Sequence, residues 1–429
     1  MPSHVSILRQ TPIGKIPEDW EVIRLGDVCK KIVDGTHKTP EYVKKGIPFI
    51  STQNLAPFKD HFDFSQYCKY ISPGEHYELT KRCKPEKGDL LVSKCGTIGR
   101  TQLVRVDYEF SIFVGLALLK LKRDKVVPEY LEQLLNFEPM VRHMEILSPG
   151  ATRKTLTLKA ISKLEIPLPP LPEQRKIAEI LSTVDKAIQK VDEAIAKTER
   201  LKKGLMQELL TKGIGHTEFK DTEIGRIPKE WEVVKLSKIA KLESGGTPSR
   251  QRPEFWENGT IPWVKSGELN DKVIYDTEER ITESGLKNSS AKVFPKGTLL
   301  MALYGRGTVS KTAILGIDAA TNQAVCAIIP KNIEFLPKFM QQYLIYRRET
   351  ILNQLVNPSS DVGRTNIYVS SLSLLKVPLP PLSEQQKIAE ILSTVDKKLE
   401  LERKRKEKLE RIKKGLMNDL LTGRRRVKV

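Results

Sequence analysis

Apolar positions along the chain follow two different patterns. Ile177, Leu181, Val184, Ile188, Val191 and Ile195 recur at alternating steps of four and three, and the stripe continues at Leu205 and Leu209. A second stripe runs through Ile388, Leu392, Val395, Leu399, Leu409, Leu416 and Leu420, interrupted by Glu402, Lys406 and Lys413. This spacing keeps one seam of a helix turned towards a partner and predicts a coiled coil. Each stripe follows PLPPL, at Pro167 and at Pro378, which cannot enter a helix interior and reads as an extended lead-in. Pro172 suits a first helical position and Glu173 the positive end of the dipole. Ser383 with Gln386 forms a capping-box pattern, and Gly213 and Gly423 are stop signals. About 40 helical residues make a rod of ~60 Å. The other pattern is short apolar runs bounded by Gly, Pro and Lys, at 47–51, 89–93, 111–121, 298–303 and 324–329, which predict strands. Residues 130–137 and 337–346 predict short helices.

The two long stripes are copies of one another. PLPPLPEQRKIAEILSTVDK from Pro167 and PLPPLSEQQKIAEILSTVDK from Pro378 differ at two positions, and KKGLM followed by LLT closes both copies, at Lys202 and Lys413. TPIGKIPEDWEV (11–22) likewise answers TEIGRIPKEWEV (222–233), so the 211-residue offset spans nearly the whole chain. A period this long means duplication of a domain plus a helix, not a solenoid. Between the matching ends the offset drifts, to 214 for IPFI/IPWV and 209 for KGDLLV/KGTLLM. Insertions and deletions have therefore accumulated in the globular parts and not in the helices. The expected fold is α/β (α+β): two globular parts of mixed helix and strand (1–166 and 213–377), with helices at 167–212 and at 378–429, the latter ending in a basic tail. Two near-identical helices most simply pair with each other. If they pair antiparallel, the halves are related by a pseudo-two-fold axis and the globular parts sit at opposite ends of the rod. Residues 11 and 422 should then lie close together, so that the chain is topologically circular.

Charge adds the partner. Lys and Arg exceed Asp and Glu by 72 to 53, a net +19, which points to a polyanion such as nucleic acid. No apolar window reaches membrane-span length, and the N-terminus lacks a signal-peptide core. Five dispersed cysteines without a CxxC fit a reducing cytoplasm and neither a disulfide framework nor a zinc site.

Catalytic motifs are mostly absent. There is no GxxxxGK[ST], no GxGxxG placed between a strand and a helix, and no ligand spacing among the six histidines. The box expected of an adenine aminomethyltransferase has only a partial echo in Asn357-Pro358-Ser359-Ser360. Glu86, Asp89 and Lys94 could mimic a nuclease cluster, but the second copy has Thr298 and Leu303 where Asp89 and Lys94 stand, which favours a structural or DNA-backbone role. What recurs is a set of polar, Gly-containing loops. DGTHKTP (34–40) answers GGTPSR (245–250), GTIGR (96–100) answers GRGT (305–308), and TNQ (321–323) precedes a strand. Glycine lets backbone approach phosphate, and Asn, Gln, Arg and Lys pair with base edges. The candidate DNA contacts are Thr36, Lys38, Lys94, Thr97, Arg100, Arg153 and Lys154 in the first part. In the second they are Thr247, Arg250, Lys265, Tyr304, Arg306, Asn322, Gln323, Arg364 and Asn366.

These motifs together, IPxxW opening each half, SGGTPS, PLPPLxEQxxIAxILS with its VD, and KKGLMxxLLT closing each half, resemble the specificity subunits of type I restriction–modification systems. The resemblance covers almost the whole chain. It implies two target recognition domains joined by two long antiparallel coiled-coil helices, each domain reading one half of a split double-stranded DNA target. It implies two modification subunits, which bind S-adenosylmethionine and methylate adenine, and two restriction subunits that use ATP and Mg. This chain would then be non-catalytic and hold no cofactor of its own. DGTHKTP departs from SGGTPSR, which puts a shared contact at that loop in question. The rival readings are a stand-alone methyltransferase or nuclease, and a coiled-coil scaffold whose basic charge is incidental.

Overall fold

The computed structural model describes residues 8–65, 67–148, 150, 154–305, 307–332, 334–355 and 366–428. They form two compact units: the described residues up to Ala194 together with those from Glu402 on, and Ile195–Leu401.

The first unit is built on two four-stranded sheets. One has the order Cys29–Asp34, Leu116–Leu121, Leu90–Ser93, Thr101–Leu103; the other runs Ser111–Ile112, Ile47–Ile50, Tyr70–Ile71, Tyr42–Val43. The apolar runs of the first sheet are continuous because both of its faces are covered. Ala117, Leu119, Leu121, Leu90 and Val92 enter a core with the helices Pro128–Leu135 and Glu138–Ile146. The alternate residues Leu116, Leu118 and Leu91 enter a second core with Ile50 and Ile112 of the other sheet. Strand alternation thus feeds two cores from one run. The second unit repeats the plan. Leu299, Met301, Cys326 and Ile328 pack with the helix Pro337–Tyr346, while Leu300, Ala302, Val325 and Ala327 face a separate core.

Two expectations are refined. Residues 111–121 form two strands, because 113–115 turn between the two sheets. The PLPPL lead-ins are extended, and they also pair. Glu165–Leu168 runs antiparallel to Glu21–Arg24, and Lys376–Leu379 to Glu232–Lys235. Proline is tolerated in these two-stranded edge ladders, where a missing N–H leaves no central bond unmade.

The long helices span Leu171–Thr211 and Leu382–Leu420. Each belongs half to one unit and half to the other, so the unit boundaries fall inside the helices and not at their ends. In the first unit Ile177 and Leu181 share a core with Met417, Leu420 and Leu421. In the second, Met206, Leu209 and Leu210 share one with Ile388, Ala389 and Leu392. The start of one helix therefore packs on the end of the other, in antiparallel fashion. The interruptions of the second stripe are paired: Lys413 with Asp185 at 2.6 Å and Lys406 with Asp192 at 2.7 Å. Seven residues forward on one helix match seven back on the other. In the second unit Lys202 meets Asp396 at 2.6 Å, in the same register.

The repeated motifs fasten each helix to its globular part. Trp20 Nε1 donates to Glu173 at 3.2 Å, and Trp231 Nε1 donates to Glu384 at 2.9 Å. Both indoles are buried. Gln174 accepts from Val127 N and donates to the Pro169 carbonyl; Gln385 accepts from Leu336 N and donates to the Pro380 carbonyl. Each glutamine thereby satisfies a free N–H at the start of a short helix. The VD aspartates finish the joint, Asp185 accepting from Gln133 at 2.6 Å and Asp396 from Gln342 at 3.0 Å. Gly213 and Gly423 end the helices in the left-handed region, with φ of 67° and 66°. Gly423 lies against Pro17 and Trp20, and Arg426 reaches Asp19 and Glu173, the place His216 takes beside Glu384.

Candidate nucleic-acid interface

In each unit one sheet edge gathers the polar loops. In the second unit Ile261–Val264 and Ala319–Thr321 run parallel, so their C-terminal ends open on the same side. Asn322 N donates to the Val264 carbonyl at 3.0 Å, which brings 321–323 beside 265–268. Trp263 Nε1 donates to the Gly246 carbonyl at 3.0 Å and Thr247 is hydrogen-bonded to Gln323, which adds the loop 245–250. Gly305 packs towards Thr308 and Ser266, and Tyr304 is bridged to Asn366, which adds the loop after Leu299–Ala302.

The first unit makes the same edge from the equivalent loops. Ile47–Ile50 and Ser111–Ile112 are parallel. Thr36 N donates to the Ile112 carbonyl at 3.1 Å, and Phe113 N to that of Ile50 at 2.9 Å. Gly115 packs against Cys95 and Thr52, and Cys95 is bridged to Thr155. Of the candidate contacts, Arg153, Arg306 and Arg364 lie outside the described residues. Lys38, Thr97, Lys154, Arg250 and Gln323 are exposed; Thr36, Arg100, Thr247, Lys265, Tyr304, Asn322 and Asn366 are half-buried.

Lys94 differs from the rest. It is buried, and its ammonium meets Asp34 at 2.6 Å instead of facing solvent. Arg82 and His37 also hold Asp34, each at 3.1 Å. Burial alone would raise the Asp34 carboxyl, but the hydrogen bonds from Lys94 and Arg82 hold it below the usual carboxylate range. The second unit has Ser244 and Leu303 at these places, so this ion pair has no charged equivalent there. Glu86 and Asp89 are engaged elsewhere, each with Lys120 at 2.8 Å. The nuclease-like string is thus divided between two separate ion-pair groups, one on Lys120 and one on Asp34. Among the described residues no group of His, Cys, Asp and Glu is placed to hold a metal ion.

The recurring glycines have a local reason. A Cβ on Gly35 would strike the Ile112 carbonyl, and one on Gly245 that of Thr321. These glycines admit the neighbouring strand. Gly96 and Gly307, both at φ 76°, are turn residues. Sequence reasoning missed Trp256 and Glu279. Arg250 stacks on Trp256 with its guanidinium carbon 3.6 Å from the ring centroid, and it meets Glu279 at 2.6 Å. Lys265 reaches Glu278 and Glu279 at 2.8 and 2.9 Å. Burial works against the Glu279 carboxylate, yet these two cations hold it below its ordinary range. No local motif marks this cluster, because its members lie on four separate segments.

No described helix is long and apolar enough to cross a membrane. The family model of the type I restriction modification DNA specificity domain matches residues 17–199 and again 228–411. The putative type I restriction enzyme MjaX specificity subunit of Methanocaldococcus jannaschii is 31% identical over 428 residues, covering 98% of this chain and 97% of the relative. The EcoR124I/EcoR124II specificity subunit of Escherichia coli is 29% identical over 64% of each chain. The crystal structure of the type I restriction-modification S subunit from M. genitalium shares the fold, with a TM-score of 0.61 at 18% identity over 96% of this chain and 98% of that one. With two copies of its specificity domain covering most of the sequence, the chain belongs to the family of type I restriction enzyme specificity subunits.

Proposed function

We propose that each globular part reads one half of a split double-stranded DNA target through its loop edge. On this reading the paired helices set the spacing between the halves and dock the modification subunits. The observation that carries it is the duplicated edge: equivalent loops meet at the C-terminal ends of parallel strands in both units, and they carry different polar residues. Shared architecture with divergent side chains is what two readers of different sequences require. The positive charge supplies the sequence-independent part of binding.

The chain has no catalytic role in this scheme. Two modification subunits would bring S-adenosylmethionine and methylate adenine, and two restriction subunits would bring ATP and Mg, all in the cytoplasm where the DNA lies. The test is methyl transfer by the purified chain with and without a modification subunit. Activity should require the second protein, and methylation by the chain alone would favour the stand-alone enzyme. Footprinting on a split site separates a reader from a mere scaffold, which would protect no particular sequence.

A further inference from the structure

The cluster around Arg250 has the build of a base-reading group. Its loop is held by two indoles. Trp263 Nε1 donates to the Gly246 carbonyl at 3.0 Å and Trp256 Nε1 to that of Ser249 at 3.1 Å. The two rings meet edge to face, with centroids 5.0 Å apart. Trp263 is buried, so the loop backbone rests on a fixed floor. The Arg250 guanidinium carbon lies 3.6 Å from the Trp256 ring centroid, a stacking contact that restrains it. Glu279, opposite Trp263 in the ladder, forms an ion pair with that guanidinium at 2.6 Å. The Arg250 side chain is still 53% exposed.

Charge decides what such a fork binds. Arg250 and Lys265 are matched by Glu278 and Glu279, so the cluster is locally neutral. A phosphate clamp needs uncompensated positive charge. A neutral, stacked and buttressed fork offers geometry instead, and the guanine major-groove edge presents the two acceptors that fit it. We propose that Arg250, set on Trp256 and braced by Glu279, is the residue through which the second globular part recognises a guanine in its half-site. The first part has no counterpart: its segment 35–43 contains no arginine, and Phe49 stands where Trp263 does. The device belongs to the second half-site alone. This inference rests on the proposed split-target reading.

The test is selection of binding sites from a randomised duplex library by the full chain, as wild type and as Arg250→Lys, Glu279→Gln and Trp256→Leu. Wild type should require G·C at one position of one half-site. Arg250→Lys keeps the charge and loses the fork; it should cut preference at that single position by about 5- to 150-fold, with the other half-site unchanged. Glu279→Gln, which keeps the shape of the buttress, should also relax that position and steepen the salt dependence by freeing Arg250 for phosphate. Preserved selection of the other half-site shows that a variant is folded; should Arg250→Lys or Trp256→Leu fail that check, Glu279→Gln decides. Unchanged preference in the variants, or Arg250→Lys weakening all sequences equally, would overturn the guanine assignment. If wild type selected no sequence at all, the split-target reading itself would fall.

Discussion

The Asp185–Lys413 pair tests the antiparallel register of the helices through stability. Both side chains are about nine-tenths buried. Asp185 also accepts from Gln133 at 2.6 Å, and the Lys413 ammonium lies 3.2 Å from the Phe58 ring centroid. Burial pushes the Asp185 carboxyl up and the Lys413 ammonium down, while each favours the other's charge. Removing one partner leaves a buried charge, which costs about 3–5 kcal/mol. For a unit of this size that is a fall in Tm of roughly 6–20 °C. The two single variants should respond to pH in opposite directions. In Lys413→Met the folded-state pKa of Asp185 is raised, so the stability its protonation restores is present at low pH and lost as pH rises through that value. In Asp185→Asn the folded-state pKa of Lys413 is depressed, so the deficit shrinks as pH rises through it towards the ordinary lysine value. Replacing the whole group, as Gln133→Met, Asp185→Leu and Lys413→Met together, should return stability to within about 1 kcal/mol of wild type. Calorimetry across pH 5–9 is the assay. Single variants that cost less than about 1 kcal/mol, or pH trends of the same sign, would refute a buried interhelical pair.

Further expectations concern other sites. Glu173→Ala strips the buried Trp20 indole of its acceptor and Arg426 of one of its two carboxylate partners; it should cost roughly 1–3 kcal/mol by urea denaturation. Burial pushes the Cys29 and Cys326 thiols up to about 12 and Cys83 up to about 11. Brief alkylation at pH 8 followed by mass spectrometry should therefore label the exposed Cys68 and spare these three. Asp34, held below its ordinary value, contributes stability above the unfolded carboxylate pKa and loses it as pH falls through the lower folded one. Denaturation should accordingly find Asp34→Asn destabilised by ~3 kcal/mol at pH 7, with the gap closing only below about pH 4.

How legible the molecule was depended on the range of the interactions. The long helices were plain, because their seam repeats locally and their two copies corroborate each other. Pro337–Tyr346 was read at its observed bounds, since proline at its start and an apolar stripe are both local signals. Pairing of the lead-ins was not legible: Pro167 and Val22 face each other across a ladder, and nothing in either string names its partner. The joint residues carried a signal that went unused. Trp20 and Glu173 are separated by the same interval as Trp231 and Glu384, as two halves of one contact must be. The burial of Lys94 was not legible, because its partner, Asp34, is 60 residues away. The crowding of Gly35 and Gly245 was hidden for a similar reason: the strand that meets each comes from a distant part of the chain.

Independent reading by two edges is the central claim, and exchange of residues 30–150 for those of a relative with a different target tests it most directly. That exchange replaces the loops of the first edge up to residue 150 while leaving Trp20, both long helices and the second unit in place. Mapping DNA methylation in cells that carry the exchanged chain with the proposed modification subunits gives the target before and after. One new half-site is expected, with the other half-site and the spacing between them unchanged. A change in both half-sites, or in the spacing, would contradict it.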